Sequence, residues 1–145
     1  MLDWFGEQIV LYWDIFKYLI PAIPWTVLIT ITSFALALVL GMIIGVLRII
    51  RLRIISYLAG VYVNVIRGVP LLVHIFFIYF GLGQYLNLDR FTAGVLAVGI
   101  CYSAYLAEIF RAGIEAIAHG QYEAAMSLGM TRFQTLRHVI IPQSL

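Results

Sequence analysis

The sequence predicts an all-α polytopic membrane protein, with about three transmembrane helices and one polar helical hairpin outside the hydrocarbon. Three observations carry that expectation. Hydrophobic residues make up 63% of the chain and charged residues 11%, against about 45–50% and about 25% in ordinary globular domains. The charges are segregated: Lys17 and Arg48 bracket one long uncharged run, and the runs 68–88 and 91–107 follow it. Beyond Glu108 the pattern changes. Glu123, Arg132, Arg137, His119 and His138 make this last stretch too polar for lipid, so it has to face water or a soluble partner.

Taken in order, Pro21 and Pro24 delay the first regular helix to about Trp25, and Trp25 to Leu47 is the first span. Its length of roughly 34 Å crosses a ~30 Å core with modest tilt. Ala37, Gly41 and Gly45 recur every four residues, which is the spacing of a close helix–helix seam. Ile54 to Ile66 is uncharged but too short to cross, so an interfacial or re-entrant helix is expected. It has an apolar face of Ile54, Ile55, Leu58, Tyr62, Val65 and Ile66, and a small or polar stripe of Ser56, Gly60, Asn64 and Arg67. That stripe either borders a water-filled pathway or packs on a neighbouring helix. Gly68 and Pro70 end this helix. The run from Gly68 to Leu88 is the second span, closed by turn chemistry at Gly81, Gly83, Gln84 and Asn87. Phe91 to Ala107, extended through Arg111, is the third.

Orientation follows from the basic residues of the short loops. Arg48, Arg51 and Arg53 follow the first span, and Arg111, Arg132 and Arg137 follow the third. The turn between them has Arg90 offset by Asp89, and the N-terminus has Asp3, Glu7 and Asp14 against Lys17. The N-terminus is therefore expected outside, and the polar hairpin in the cytoplasm. Phe5, Ile9, Tyr12, Trp13 and Phe16 lie on one side of an N-terminal amphipathic helix along the outer interface, and Trp4, Trp13 and Trp25 fit an aromatic belt. The acidic start is the wrong sign for a secretory leader, so all residues are read as mature protein.

Several function classes are disfavoured. A net charge of +2, scattered along the chain, offers nothing to nucleic acid. The lone Cys101 sits in an apolar run and reads as a small buried hydrophobe. No GxxxxGK(S/T) phosphate loop is present. Glu115, His119 and Glu123 are four apart, a metal spacing on a continuous helix, but Gly120 is expected to interrupt it, and no metal is assigned.

The segment 114–142 reads as two short helices around a hinge. Glu123 is expected in the first turn of the first helix, where the dipole favours it, and Ala124 and Ala125 keep that helix thin enough to enter a groove. Gly129 is placed to end it in a left-handed conformation. Thr131 and Gln134 form a capping box for the second helix, whose end is marked by Pro142.

Glu123-Ala124-Ala125, with Gly129 after three intervening residues and then Val139, Ile141 and Pro142, resembles the EAA-x3-G-x9-I-x-L-P loop of ABC importer permeases. Arg67-Gly68-Val69-Pro70-Leu71-Leu72 is similar to the RG-(T/V)-PLL segment of the polar amino-acid uptake family. Ala104-Tyr105-Leu106-Ala107-Glu108, with Arg111 and Gly120-Gln121, is similar to that family's AY-x-AE…R…GQ segment. The resemblance runs from about Pro24 to the last residue.

It implies part of a type I importer permease fold in a bacterial inner membrane: a transmembrane permease domain over 1–145, incomplete at its C-terminus, since family members continue into further spans. It also implies that Glu123, Ala124, Ala125, Gly129, Arg132 and Pro142 couple the permease to a cytoplasmic ABC ATPase dimer. That partner would bind the ATP and magnesium, leaving this chain non-catalytic and without a cofactor. A second permease subunit and an extracytoplasmic solute-binding protein complete the implied assembly, with a polar amino acid as cargo.

The sequence departs from the family at His74, where glutamine is usual, and at Ala118, where proline is usual. His74 is either a hydrogen-bonded packing residue or, with Asn64, Arg67 and Glu108, part of a translocation pathway. For Glu108 the favoured reading is a local ion pair with Arg111, three residues on. Two other classes compete: a secondary transporter or channel built around the Gly68–Pro70 break, and a non-transporting membrane anchor. Neither requires the helical hairpin.

Overall fold

The computed structural model describes the backbone of residues 2–50 and 52–144, and the side chains of 11–50 and 52–144. The positions expected to matter at Asp3, Trp4, Phe5, Glu7 and Ile9, and Arg51, have side chains outside the described residues. Every described element is helical. In order they are α1 (Leu2–Leu19), a 3-10 turn (Ile20–Ala22), α2 (Ile23–Ile49), α3 (Arg53–Gly68) and α4 (Leu71–Phe76). A π-helical turn (Phe77–Leu82), α5 (Gly83–Leu86), α6 (Arg90–Glu115) and α7 (His119–Ser127) follow. The last are α8 (Arg132–Thr135), a second π-helical turn (Leu136–Ile140) and α9 (Ile141–Ser144).

The organising contact is α2 on α6. The buried residues of α2 are Ser33, Ala37, Gly41 and Gly45, one small side chain per turn on a single face. They meet an α6 face that buries Gly99, Ser103 and Ala107. A Cβ added to Gly41 would stand 2.7 Å from Leu106 Cβ and 3.0 Å from the Ser103 carbonyl, and one added to Gly45 would stand 3.0 Å from the Ala107 carbonyl. Only the absence of side chains allows this approach, which is how helices gain dispersion contact in lipid.

The seam also fixes direction. Trp25 meets Phe91 edge-on at 6.4 Å, Leu36 touches Gly99, Gly41 touches Leu106, and Gly45 touches Phe110. Contacts advance together along both helices, so α2 and α6 run parallel, as the expectation that both end on one side requires. At 27 and 26 residues each spans roughly 40 Å, enough for the hydrocarbon core.

Two parallel spans require the chain between them to return across the membrane, and here the structure corrects the sequence reading. The return is not one helix over 68–88. The α3 helix and the helix over Leu71–Leu86 meet at 101° and share it. The Ser56 hydroxyl donates to the Arg48 carbonyl (2.7 Å) near the end of α2. Further on, the Tyr62 hydroxyl lies 2.7 Å from Ser103 Oγ and donates to the Ile100 carbonyl at 3.3 Å. Ile78 then packs with Ala93 and Ala97 near the start of α6. Thus α3 takes part in the crossing it was expected to miss, because neither 16-residue half, at roughly 24 Å, reaches across alone.

Other expectations change as well. Pro21 and Pro24 do not hold off the helix: α1 passes through the 3-10 turn Ile20–Ala22, which carries Pro21, into α2 with Pro24 as its second residue, so that Leu11–Ile49 runs on as one 39-residue helix. The N-terminal helix is formed but continues into the first span instead of standing apart from it. The inward face of α3 carries Ala59 and Val63 with Ser56, Gly60, Tyr62 and Ile66 at its edges, while Ile54, Ile55, Leu58 and Val65 are exposed. Small residues win the contact because they allow closer approach. Gly81, Gly83 and Gln84 are helical, and the turn rests on Asn87 at φ 50°. Asp89 then caps α6, accepting from the Phe91 and Thr92 amides and from the Thr92 hydroxyl. These bonds, the Thr92 hydroxyl first, hold its carboxyl below the ordinary value.

Replacing Gly41 by valine is expected to destabilise the purified protein by about 1–3 kcal/mol through overpacking. Gly94, which has nothing within 4 Å of an added Cβ, should accept alanine with no loss. Thermal unfolding in detergent measures both, and equal midpoints for the two variants would contradict the seam.

Candidate functional site

The candidate site begins where α6 ends. A three-residue break, Ala116–Ala118, separates it from α7, and the Ala116 amide closes the last turn on the Ala112 carbonyl (2.9 Å). Ala118 is the N-cap of α7 at φ −56°. Proline enforces nearly this value, so alanine at Ala118 keeps the backbone that the expected proline would impose. The break lies here and not at Gly120, which is inside α7. Glu115 consequently faces Arg111, while His119 pairs with Glu123 at 3.3 Å within α7. The three do not converge, and no metal-binding group of three occurs among the described residues.

Because α7 starts at His119, Glu123 is in its second turn, not its first as expected, and it gains little from the helix dipole. Its pair with His119 is exposed, with side chains 71% and 85% accessible, and contributes little. Nor do the two alanines act alike. Ala124 is exposed whereas Ala125 is 4% accessible, since a 100° step per residue turns one outward and the other toward the returning helix.

Gly129 does what its position predicts. At φ +83° it is left-handed; its amide donates to the Met126 carbonyl (3.0 Å) and the Met130 amide to the Ala125 carbonyl (3.2 Å). This is the Schellman pair of bonds that satisfies the carbonyls at a helix end. Thr131 and Gln134 complete the capping box: the Gln134 amide donates to Thr131 Oγ1 at 3.3 Å, and the Thr131 amide to Gln134 Oε1 at 2.8 Å. Two consecutive caps leave the turn little freedom. Leu128, 81% accessible, stands at its tip.

Pro142 does not end the second helix, which continues to Ser144. In the π-helical turn ahead of it the Ile141 amide reaches back to the Leu136 carbonyl. That wider spacing loosens the ladder where Pro142 has no N–H to contribute and its ring would crowd a carbonyl. Arg132, the first residue of α8, is exposed. It borders an open apolar groove of about 660 Å3 between this hairpin and the end of α2, where Ile49, Ile117, Tyr122 and Phe133 also line the wall.

Behind the hairpin, Glu108 holds the expected pair with Arg111 (Nε to Oε1, 3.0 Å) and also accepts from Arg48 of α2. Spacing predicts the first bond. Nothing in the sequence announces the second, because sixty positions separate the partners. The other pathway candidates are dispersed. Asn64 lines an open groove of about 450 Å3 with Arg53 and Ser56, and Arg67 stacks on the Tyr105 ring at 5.2 Å. His74 is buried, its Nδ1 3.2 Å from the Pro70 carbonyl, in a packed position. The Tyr62–Ser103 pair, which ties α3 to α6, has no sequence signal beyond a tyrosine on the face of an apolar helix.

The family described as "Binding-protein-dependent transport system inner membrane component" matches residues 37–145. The chain belongs to this family. Its place is accordingly the inner membrane, crossed more than once. It is 41% identical over 114 residues to a probable amino-acid ABC transporter permease protein of Sinorhizobium fredii, covering 78% of this chain and 49% of that one. It is 38% identical over 139 residues to the probable glutamine ABC transporter permease protein GlnM of Bacillus subtilis, covering 95% and 64%. A crystal structure of an amino acid ABC transporter with histidines aligns with a TM-score of 0.77 at 42% identity, over 94% of this chain and 63% of that one. The chain thus spans about half to two-thirds of the length of these proteins. The match begins within the α2 seam and contains the whole hairpin.

Gly129→Val forces a β-branched residue into the left-handed region, at an expected cost of about 1–2 kcal/mol. Amide exchange at Gly129 and Met130 should accelerate in that variant while exchange in α6 stays unchanged. Unaltered protection of both amides would contradict the turn.

Proposed function

We propose that the chain forms part of the transmembrane permease subunit of a binding-protein-dependent ABC importer for polar amino acids. The observation that carries this reading is the doubly capped hairpin, with Leu128 and Ala124 exposed, mounted directly on the end of a membrane-length helix. A rigid knob of this kind suits insertion into a cleft on a soluble motor, and the similarity to amino-acid ABC transporter permeases indicates the class of that motor. The partners are a cytoplasmic ABC ATPase dimer that binds ATP and magnesium, a second permease subunit, identical or different, and an extracytoplasmic solute-binding protein. The permease hydrolyses nothing. Glu123, Ala124, Gly129 and Arg132 present or shape the docking surface; Ala125 supports it from within, and Pro142 stands exposed on the returning helix. The N-terminus lies outside, and 114–142 lies in the cytoplasm beside the basic residues that follow α2 and α6. The 101° bend is also the kind of broken element a secondary transporter uses, but a family named for binding-protein-dependent transport favours the ATP-driven reading.

The docking role is tested by Leu128→Asp, which puts a charge at the tip of the knob. Stimulation of the partner's ATP hydrolysis by substrate should fall about 10-fold or more, equivalent to ~1.4 kcal/mol of docking energy. Wild-type stimulation with normal ATPase binding would remove the hairpin from the coupling path.

Topology is tested with Arg90→Cys and Ser127→Cys in a Cys101→Ala background. An impermeant maleimide should label the first from outside intact cells and the second only in inverted vesicles. Labelling of both from the same side contradicts the orientation.

A further inference from the structure

The Glu108 carboxylate bonds to guanidinium groups on two different helices: Arg48, at the end of α2, and Arg111, one turn further along α6. Arg111 in turn reaches Glu115, the last residue of α6. The Arg48, Glu108 and Arg111 side chains are only 21%, 25% and 27% accessible, so the cluster is shielded enough for its charges to matter. The two backbones are in contact immediately before it, at Gly45 and Ala107.

The same turns of α6 receive the hairpin. The Ala116–Ala118 link leads from them into α7, and Gly113 lies so close to α9 that an added Cβ would stand 2.7 Å from the Ser144 carbonyl. One short segment, from Glu108 to Glu115, therefore meets both ends of the hairpin. Its charged tie to α2 is the Arg48–Glu108 pair.

We propose that Arg48 and Glu108 are positioning residues for coupling: their ion pair locks the seat of the hairpin to the first span, so that displacing the hairpin moves α2 and α6 as one body. The inference rests on the permease reading and adds to it the route by which motion leaves the hairpin. It removes Glu108 from the substrate pathway, since both of its oxygens are engaged by arginines. It also identifies the informative substitution. Arg48→Met keeps the length of the apolar stem and leaves Glu108 paired with Arg111, so no charge is orphaned.

The test uses the permease assembled in proteoliposomes with its ATPase, its solute-binding protein and a mixture of polar amino acids. In Arg48→Met, ATPase binding and basal hydrolysis should remain at wild-type level, while stimulation by the loaded binding protein falls about five-fold or more. Arg48→Lys, which keeps the charge, should retain most of the stimulation. Undiminished stimulation in Arg48→Met overturns the proposal, and so does an equal loss in Arg48→Lys. A parallel fall in assembly, basal hydrolysis and stimulation would assign Arg48 to folding alone and overturns it too. A wild-type permease that recruits no ATPase would instead sink the permease reading, whatever Arg48 does.

Discussion

In a bilayer the hydrophobic effect offers helices no reason to associate, because lipid tails are as apolar as leucine. What remains is shape and a few polar contacts, and in this chain both are concentrated on the parallel packing of α2 against α6. Ser33, Ala37, Gly41 and Gly45 remove side-chain bulk from one face at four-residue intervals, and α6 answers with its own glycine, serine and alanine. The result is backbone contact over several turns, too tight at Gly41 and Gly45 to admit even a methyl group without displacement. The rest of the fold is arranged by this pair.

A parallel pair of spans imposes a return crossing between them, and α3 with the Leu71–Leu86 helix supplies it in two pieces. Breaking a helix inside a membrane exposes backbone groups, so the break has to be covered by protein. Here Tyr62 and Ser103 bond α3 to α6 below the bend, and Ile78 packs on Ala93 and Ala97 beyond it. The local instruction to break is Gly68-Val69-Pro70, with Pro70 accepting from the Val73 amide as the next helix begins. Where each piece comes to rest is decided by α6.

The hairpin obeys a different rule, because it leaves the lipid. Its geometry is set by hydrogen bonds between near neighbours: the Schellman pair at Gly129 and the reciprocal cap of Thr131 and Gln134. Rigid local structure lets a small docking element pass a force to a membrane helix without unfolding. Its seat is less local, gathering α2, α6 and α9 through Arg48, Glu108 and the close approach of Gly113 to Ser144.

The division between what was legible in the sequence and what was not follows the range of the interactions. Composition and charge segregation determined the membrane class. Small-residue spacing determined the α2 seam, the Asn87 and Gly129 turns rest on residues that tolerate positive φ, and the Thr131 capping box and the Glu108–Arg111 pair are three-residue periodicities. Each needs only its immediate neighbours. The start of α7, which puts Glu123 beyond the first turn, and the passage of the helix through Pro142 are not legible in the sequence, because a helix end is a competition between local signals and packing. The inward face of α3, the shared return crossing, the packed state of His74 and the Arg48–Glu108 tie belong to tertiary structure alone. They depend on which helix approaches which, and in lipid that is settled by three-dimensional fit and not by hydrophobicity along the chain.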